Sequence, residues 1–481
     1  MIIELVILNM IFYKLGRNQS LLFMKYIFTM AAAAFLLWGC ANDMEVAPQA
    51  TENPQSSADT TNFNNPMYTA RSAGTKVMMQ AFYWDVPGSG TWWNTVSAKV
   101  PSWASAGIDA IWLPPATKGQ SGGYSMGYDP FDYFDFGSYN QMGSTETRFG
   151  SLAEIQSLIT TAHNNDLSVI ADIVVNHCSG GASQANPYTG NNTYTNFQPA
   201  SGLFARSYND FHPNNVHAAD AGTFGGFPDL CHDKTWVQDW LYNNSNSIAK
   251  YYKNTMGFDG WRFDLVKGFE PWVVKNFKNA VGGFTVGEYW DGNAATLETW
   301  ANSAEASAFD FACYYKMRDA FVNNDLTQLN GDMLLKRNAY RAVTFVANHD
   351  TDEIYSNKLL AYAYILTHEG YPCIFYRDYE EWLDKNKLNN LIWIHNNKAI
   401  GNTTYLYADN DEYVARRNGA PGLIVYINNS NSWQERWVDT NWAGTTIKDY
   451  TGNSTWEPVT QGDTWVKVQA PPHGYTIWSP K

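Results

Sequence analysis

From residue 77 onward, short apolar runs alternate with longer stretches in which apolar positions recur every three to four residues. The runs at 77–83, 108–113, 168–175, 258–264, 284–288, 308–311, 342–347 and 373–376 read as strands. Helix-like stretches lie between them at 91–106, 151–164, 235–255, 270–280, 293–303, 315–323 and 359–368. Strand–helix alternation sustained over about 300 residues predicts a parallel α/β sheet, and eight strands predict closure into a (β/α)8 TIM barrel. A doubly wound open sheet is the rival. It is weakened because no glycine-rich phosphate loop follows the first strand.

The alternation breaks once, between Val175 and Thr235, over residues rich in Asn, Gly, Pro, His and aromatics. A loop of about 60 residues is usually functional. It is read as a small inserted domain over 177–234, between the third strand and its helix. The barrel then has two parts, 75–176 and 235–403. After about residue 403 the pattern turns to short alternating strands at 412–417, 422–427, 446–449, 464–468 and 474–478, which predict a C-terminal antiparallel β-domain over 404–481.

The N-terminus reads as an address. Residues 24–40 run MKYIFTMAAAAFLLWGC, with Lys25 before an apolar run from Tyr26 to Leu37. That run suits a signal peptide better than a membrane span, which needs about 20 apolar residues. Leu37-Trp38-Gly39-Cys40 resembles a bacterial lipobox, with Cys40 as the acylated residue. The expectation is a signal peptide over 1–39 starting from Met24, a lipid anchor on Cys40 and a flexible tether over 40–74. The protein would be exported, as a cell-envelope lipoprotein or an extracellular monomer. An ordinary signal peptide with an incidental Cys40 is the alternative.

Composition narrows the function. Apolar residues make up 45% and charged residues 16%, enough for a sizeable core and too little charge for a disordered chain. The formal net charge of -14 argues against a nucleic-acid partner, which needs a cationic surface. Aromatics make up 16%; most read as packing residues, but some must lie outside the core, and rings in a wet groove suit neutral, hydroxyl-rich ligands such as sugars. The five cysteines show no CxxC pair, so neither a disulfide scaffold nor a zinc ribbon is expected.

In such a barrel the chemistry gathers at the carboxyl ends of the strands. There the third strand runs into Asn176-His177, the fourth ends Arg262-Phe263-Asp264, the fifth ends Gly287-Glu288 and the seventh runs into Asn348-His349-Asp350. Alternation points Arg262 and Asp264 the same way, so Arg262 stands one layer beneath Asp264 and favours its ionised form. A structural ion pair would look the same, but Glu288 and Asp350 at matching strand ends favour catalysis. Glycoside hydrolysis needs one ionised and one protonated carboxyl, about 5 Å apart in retaining enzymes. Asp264 is assigned as nucleophile and Glu288 as general acid/base. Asp350 is the third acid, binding sugar hydroxyls and helping to keep Glu288 protonated. His177 and His349 would donate to the sugar.

These strand ends resemble the α-amylase family of glycoside hydrolases (family thirteen): DIVVNH at 172–177, GWRFDLVKG at 260–268, GEYW at 287–290 and FVANHD at 345–350. FPDLC at 227–231 and GYDP at 127–130 match further motifs of that family. The wording of 126–151 and 231–241 is similar to the compact α-amylases of archaea and plants. The resemblance implies retaining endo-hydrolysis of α-1,4-glucan links in starch, glycogen or maltodextrins through a covalent glycosyl-enzyme. It implies Tyr128, His177, Arg262 and His349 as substrate-site residues and Lys267 as a groove contact. Many members carry Lys-His where Lys267-Gly268 stands, but the compact branch shares Lys-Gly.

Asn176, Asp220 and Asp229 are hard oxygen donors of the kind calcium takes. By motif position, the resemblance implies a calcium site of Asn176, Asp220, the Gly222 carbonyl, Asp229 and the Gly268 carbonyl. The two aspartates could instead cap turns. His212, His217 and Cys231 form a second cluster whose donor types suit zinc, one ligand short of a closed site; hydrogen-bonded histidines and a buried thiol are the alternative. Two other functions stay open. One is a cyclodextrin-active, branching or transferring relative of the same family. The other is a non-catalytic starch-binding surface lipoprotein.

Overall fold

The computed structural model describes residues 77–481. The expected signal peptide, the Cys40 anchor and the tether lie outside the described residues. No helix among the described residues is long and apolar enough to cross a membrane.

Eight parallel strands close into a barrel: β1 (Met78–Gln80), β2 (Ala110–Trp112), β3 (Ser168–Ile173), β4 (Gly260–Phe263), β5 (Phe284–Gly287), β6 (Ser307–Phe309), β7 (Ala342–Phe345) and β8 (Tyr371–Phe375). Each pairs with its neighbour in sequence, and β8 returns to β1 through Met78↔Cys373. All eight lie within the runs read from the sequence or, for β6 and β8, overlap them.

The helices form where apolar residues share one face. In α1 (Trp92–Ala106), Trp92, Trp93, Val96, Val100 and Trp103 are buried, and Gly107 at φ 97° ends the helix in a left-handed turn. Ser151 and Glu154 form a capping box that starts α2 (Leu152–Asn164). Then follow α3 (Pro271–Val281), α4 (Ala294–Ala304), α5 (Phe311–Val322), α6 (Lys358–Ile365) and α7 (Lys385–Lys398). The expected single helix over 235–255 is broken. Two short α-turns each run into a π-turn, and the polar stretch 243–247 separates the halves.

Between β3 and that broken helix, the chain makes a hairpin of Ala182–Asn186 and Asn191–Asn196, then returns to the barrel through single bridges such as His177↔Asp229. Its main interior anchor is Arg206. The buried guanidinium donates to the Phe131 carbonyl and lies 4.6 Å and 4.8 Å from the ring centres of Phe197 and Phe204.

The C-terminal sheet pairs β9 (Thr403–Ala408), β10 (Glu412–Arg417), β11 (Leu423–Asn428), β15 (Gly474–Pro480) and β13 (Ile447–Asp449) in that order. A separate ribbon pairs β12 (Gln434–Asp439) with β14 (Trp465–Ala470). Val438, Val466 and Val468 of the ribbon pack against Val414, Ile424 and Trp478 of the larger sheet. Strands β9 and β12 and helix α7 had no counterpart in the sequence reading. The barrel core runs on without a gap into Tyr413, Leu423, Val425 and Ile477.

Candidate active site

The site is built on the carboxyl ends of β3, β4, β5 and β7. Asp172 and Arg262 are direct partners in the β3–β4 register, so both point into the lumen. Arg262 is buried and meets three carboxylates. Its Nη1 donates to Asp172 Oδ1 and to Asp264 Oδ1, each at 2.8 Å, and its Nη2 lies 2.8 Å from Glu288 Oε1. Asp264 and Glu288 are thus bridged through adjacent nitrogens of one guanidinium. The Arg262 guanidinium also lies 4.9 Å from the centre of the Trp112 ring.

Two local features place the acids. Leu265, directly after Asp264, adopts φ 45°, a left-handed conformation costly for leucine. The kink turns the chain across the barrel mouth, so that the Leu265 N–H reaches Glu288 Oε2 at 3.3 Å. On β5, a Cβ at Gly287 would lie 2.1 Å from Cη2 of Trp300 on α4. Only glycine lets that indole pass, and Glu288 follows directly.

Protonation differs across the cluster. Burial pushes the Glu288 carboxyl up to about 8, against the pull of Arg262 and with help from the charges of Asp264 and Asp350. Asp172 is raised to about 6, chiefly by burial, although Arg262, Tyr128 and Trp112 all donate to it. Asp350, on the loop after β7, is raised to about 6 by desolvation in the mouth and by Asp264. Burial and the Arg262 charge hold His349 well below the usual imidazole range, so it is neutral at pH 7. The Gln80 side-chain amide donates to His349 Nδ1 at 2.9 Å. The ring proton therefore sits on Nε2, which lies 3.2 Å from Asp350 Oδ2.

The other expected residues fall around this cluster. The Tyr128 hydroxyl donates to Asp172, and its ring stacks on His349 and on the half-exposed Trp84. His177 departs from expectation. Its Nε2–H donates to the Tyr128 carbonyl at 2.9 Å, its Nδ1 faces the Asn176 amide and its ring stacks on Phe224 and Phe227. Both its nitrogens are engaged within the protein, so it fixes the loop that carries Tyr128. Lys267 stands at the rim, donating to the Trp290 carbonyl and paired with Asp291. Asp172, Gln80 and Trp84 are members the sequence reading missed. The last two follow from the end of the first strand, QAFYWD at 80–85, where the strand-end rule applies equally.

Beside the site, His212, Asp220 and Asp229 bring candidate ligand atoms within 4.8 Å of one another. Asn176 Oδ1, Asp220 Oδ1 and Asp229 Oδ1 are buried oxygens without a hydrogen-bond partner. Gly268 lies against this group, since a Cβ there would fall 1.8 Å from Asn176 Oδ1, and Gly222 packs on Gly268. Three orphaned buried oxygens, two of them from aspartates, are the donor chemistry of a hard cation such as calcium. The residues of the candidate zinc cluster are neighbours: the His212 and His217 rings are 6.2 Å apart and the buried Cys231 lies against His212. As placed, His217 is half-exposed and paired with Asp233 at 3.0 Å, and His212 donates to Asp229.

Residues 54–390 match the family model of the alpha-amylase catalytic domain, and 423–479 match that of the alpha-amylase C-terminal region. The chain is 29% identical to an alpha-amylase of Geobacillus stearothermophilus, over 84% of this chain and 87% of the relative. Among solved structures, the alpha-amylase of Geobacillus thermoleovorans complexed with acarbose superposes with a TM-score of 0.67 at 18% identity, over 85% of this chain and 99% of that one. A gamma-CGTase from alkalophilic Bacillus clarkii superposes with a TM-score of 0.66 at 17% identity, over 85% of this chain and 70% of that one.

Proposed function

The chain belongs to the α-amylase family of glycoside hydrolases, and from that premise we propose that it cleaves internal α-1,4-glucosidic bonds of starch-type glucans with retention of configuration. The observation that carries the reading is Arg262, a single buried cation holding Asp264 and Glu288 side by side while Glu288 keeps its proton to about pH 8. Asp264 attacks the anomeric carbon as Glu288 gives its proton to the leaving glycosidic oxygen. The bond to the departing sugar breaks and an ester to Asp264 forms. Glu288, now ionised, takes a proton from water, whose oxygen attacks the anomeric carbon and frees Asp264. His349 offers its Nε2–H, and Asp350 its carboxylate, to sugar hydroxyls. The scheme needs no residue of a second chain, in keeping with the proposed monomer.

Calcium, held by Asn176, Asp220 and Asp229 with the Gly222 and Gly268 carbonyls, would brace the inserted loop against the barrel without entering the reaction. An exported lipoprotein anchored through Cys40 fits a substrate too large to be imported whole.

A transferring enzyme is the second reading, favoured by the equal likeness of fold to a gamma-CGTase. Product analysis from maltoheptaose separates them. The proposal expects short linear maltodextrins released in the α configuration, whereas rings or elongated chains would establish transfer. Asp264→Asn is expected to lower kcat by at least about 10^4-fold while starch binding survives; retained turnover would reject the nucleophile.

A further inference from the structure

Nine tryptophans among the described residues are more than a third exposed. Six of them have work within the protein. Trp84 stacks on Tyr128, Trp290 on Phe311 and Trp393 on Tyr450, while Trp236 meets Trp240, Trp382 meets Phe375 and Trp456 meets Trp478 edge to face. The remaining three, Trp433, Trp437 and Trp465, make no ring contact and give no indole hydrogen bond among the described residues, and they are 49%, 51% and 43% exposed.

These three belong to one surface. Trp437 pairs with Lys467, and Trp465 pairs with Asp439, in the β12–β14 register. The two indoles are therefore diagonal neighbours on the same face, with Cα atoms about 7–8 Å apart. Trp433 precedes β12 by one residue and shares the parity of Trp437, about 13 Å away along the strand. The opposite face buries Val438, Val466 and Val468, so the tryptophan face is the outer one.

We infer that this ribbon is a second glucan-binding site, distinct from the catalytic mouth. The inference rests on the proposed action on glucan polymers. Indole faces are apolar and flat, as is the ring face of a pyranose, and their free N–H groups can meet its hydroxyls. The charge fits a neutral ligand. Lys467 is paired with Glu435 and Arg416 with Asp439, each at 2.8 Å, so the charges on this face are matched and none is left to draw an ion.

The test compares the wild-type chain with Trp437→Ala/Trp465→Ala in adsorption to insoluble starch granules and in hydrolysis of soluble maltoheptaose. Adsorption is expected to weaken about tenfold or more, with maltoheptaose kcat/KM within about twofold of wild type and an unchanged melting temperature. Equal adsorption of both proteins overturns the inference. So does sedimentation showing a wild-type dimer that the variant loses, since the face would then be a self-interface. Failure of the wild type to cleave maltoheptaose would sink the catalytic reading instead, and adsorption would still judge the ribbon. Should the double variant not fold, the single changes Trp437→Ser and Trp465→Ser decide by the same comparison.

Discussion

At the residue scale, the site works by giving chemically alike side chains unlike surroundings. Glu288 can donate a proton only while protonated, so its role is retained below about pH 8 and lost as pH rises through that value. The alkaline limb of kcat/KM is expected near pH 8. In Asp350→Asn, one like charge is gone, and the residual activity should show that limb at lower pH. A limb that stays in place would mean that Asp350 does not act on Glu288. Gln80 offers a sharper probe, because it governs which nitrogen of His349 carries hydrogen. Gln80→Met removes the donor, and Gln80→Glu reverses it, drawing the proton onto Nδ1. Both are expected to lower kcat/KM about tenfold or more, with Glu the more damaging. Equal losses would mean that Gln80 acts by packing alone.

At the element scale, one tight joint lies where β5 passes under α4. Gly287→Ala drives a methyl into Trp300 and is expected to cost about 1–3 kcal/mol in denaturant unfolding, with Trp300→Phe recovering part of it. The same scale explains what could be read beforehand. Barrel strands are covered on both faces, so β3, β4 and β7 are short apolar blocks that stand out from any neighbour. Elements with one thin buried stripe do not stand out. Helix α7 buries Leu388, Leu391, Ile392, Ile394 and His395 within an Asn- and Lys-rich sequence. Strand β12 buries only Val438, and β9 has no fully buried residue. The acids were legible because they end such blocks. Asp172, inside its block, was not recognised as the anchor of Arg262. The engagement of His177 depends on a carbonyl brought in from another loop, which no local pattern discloses.

At the scale of the whole molecule, barrel and C-terminal sheet share one interior. Arg417 donates to the carbonyls of Thr367 and Gly401, and the His368 ring meets the Tyr413 hydroxyl at 2.8 Å across the seam. Calorimetry is expected to show one unfolding transition for both, with two resolved peaks contradicting a shared core. The oxygen cluster at Asn176, Asp220 and Asp229 predicts that a chelator lowers this transition and that added calcium restores it. Absence of any shift would remove the cation from the account. Arg262 carries a last consequence. Because three acids lean on the same guanidinium, none can be exchanged without redistributing hydrogen among the rest. In descendants of this barrel the neighbourhood should be inherited as a block or dismantled as a block, and single losses should be rare.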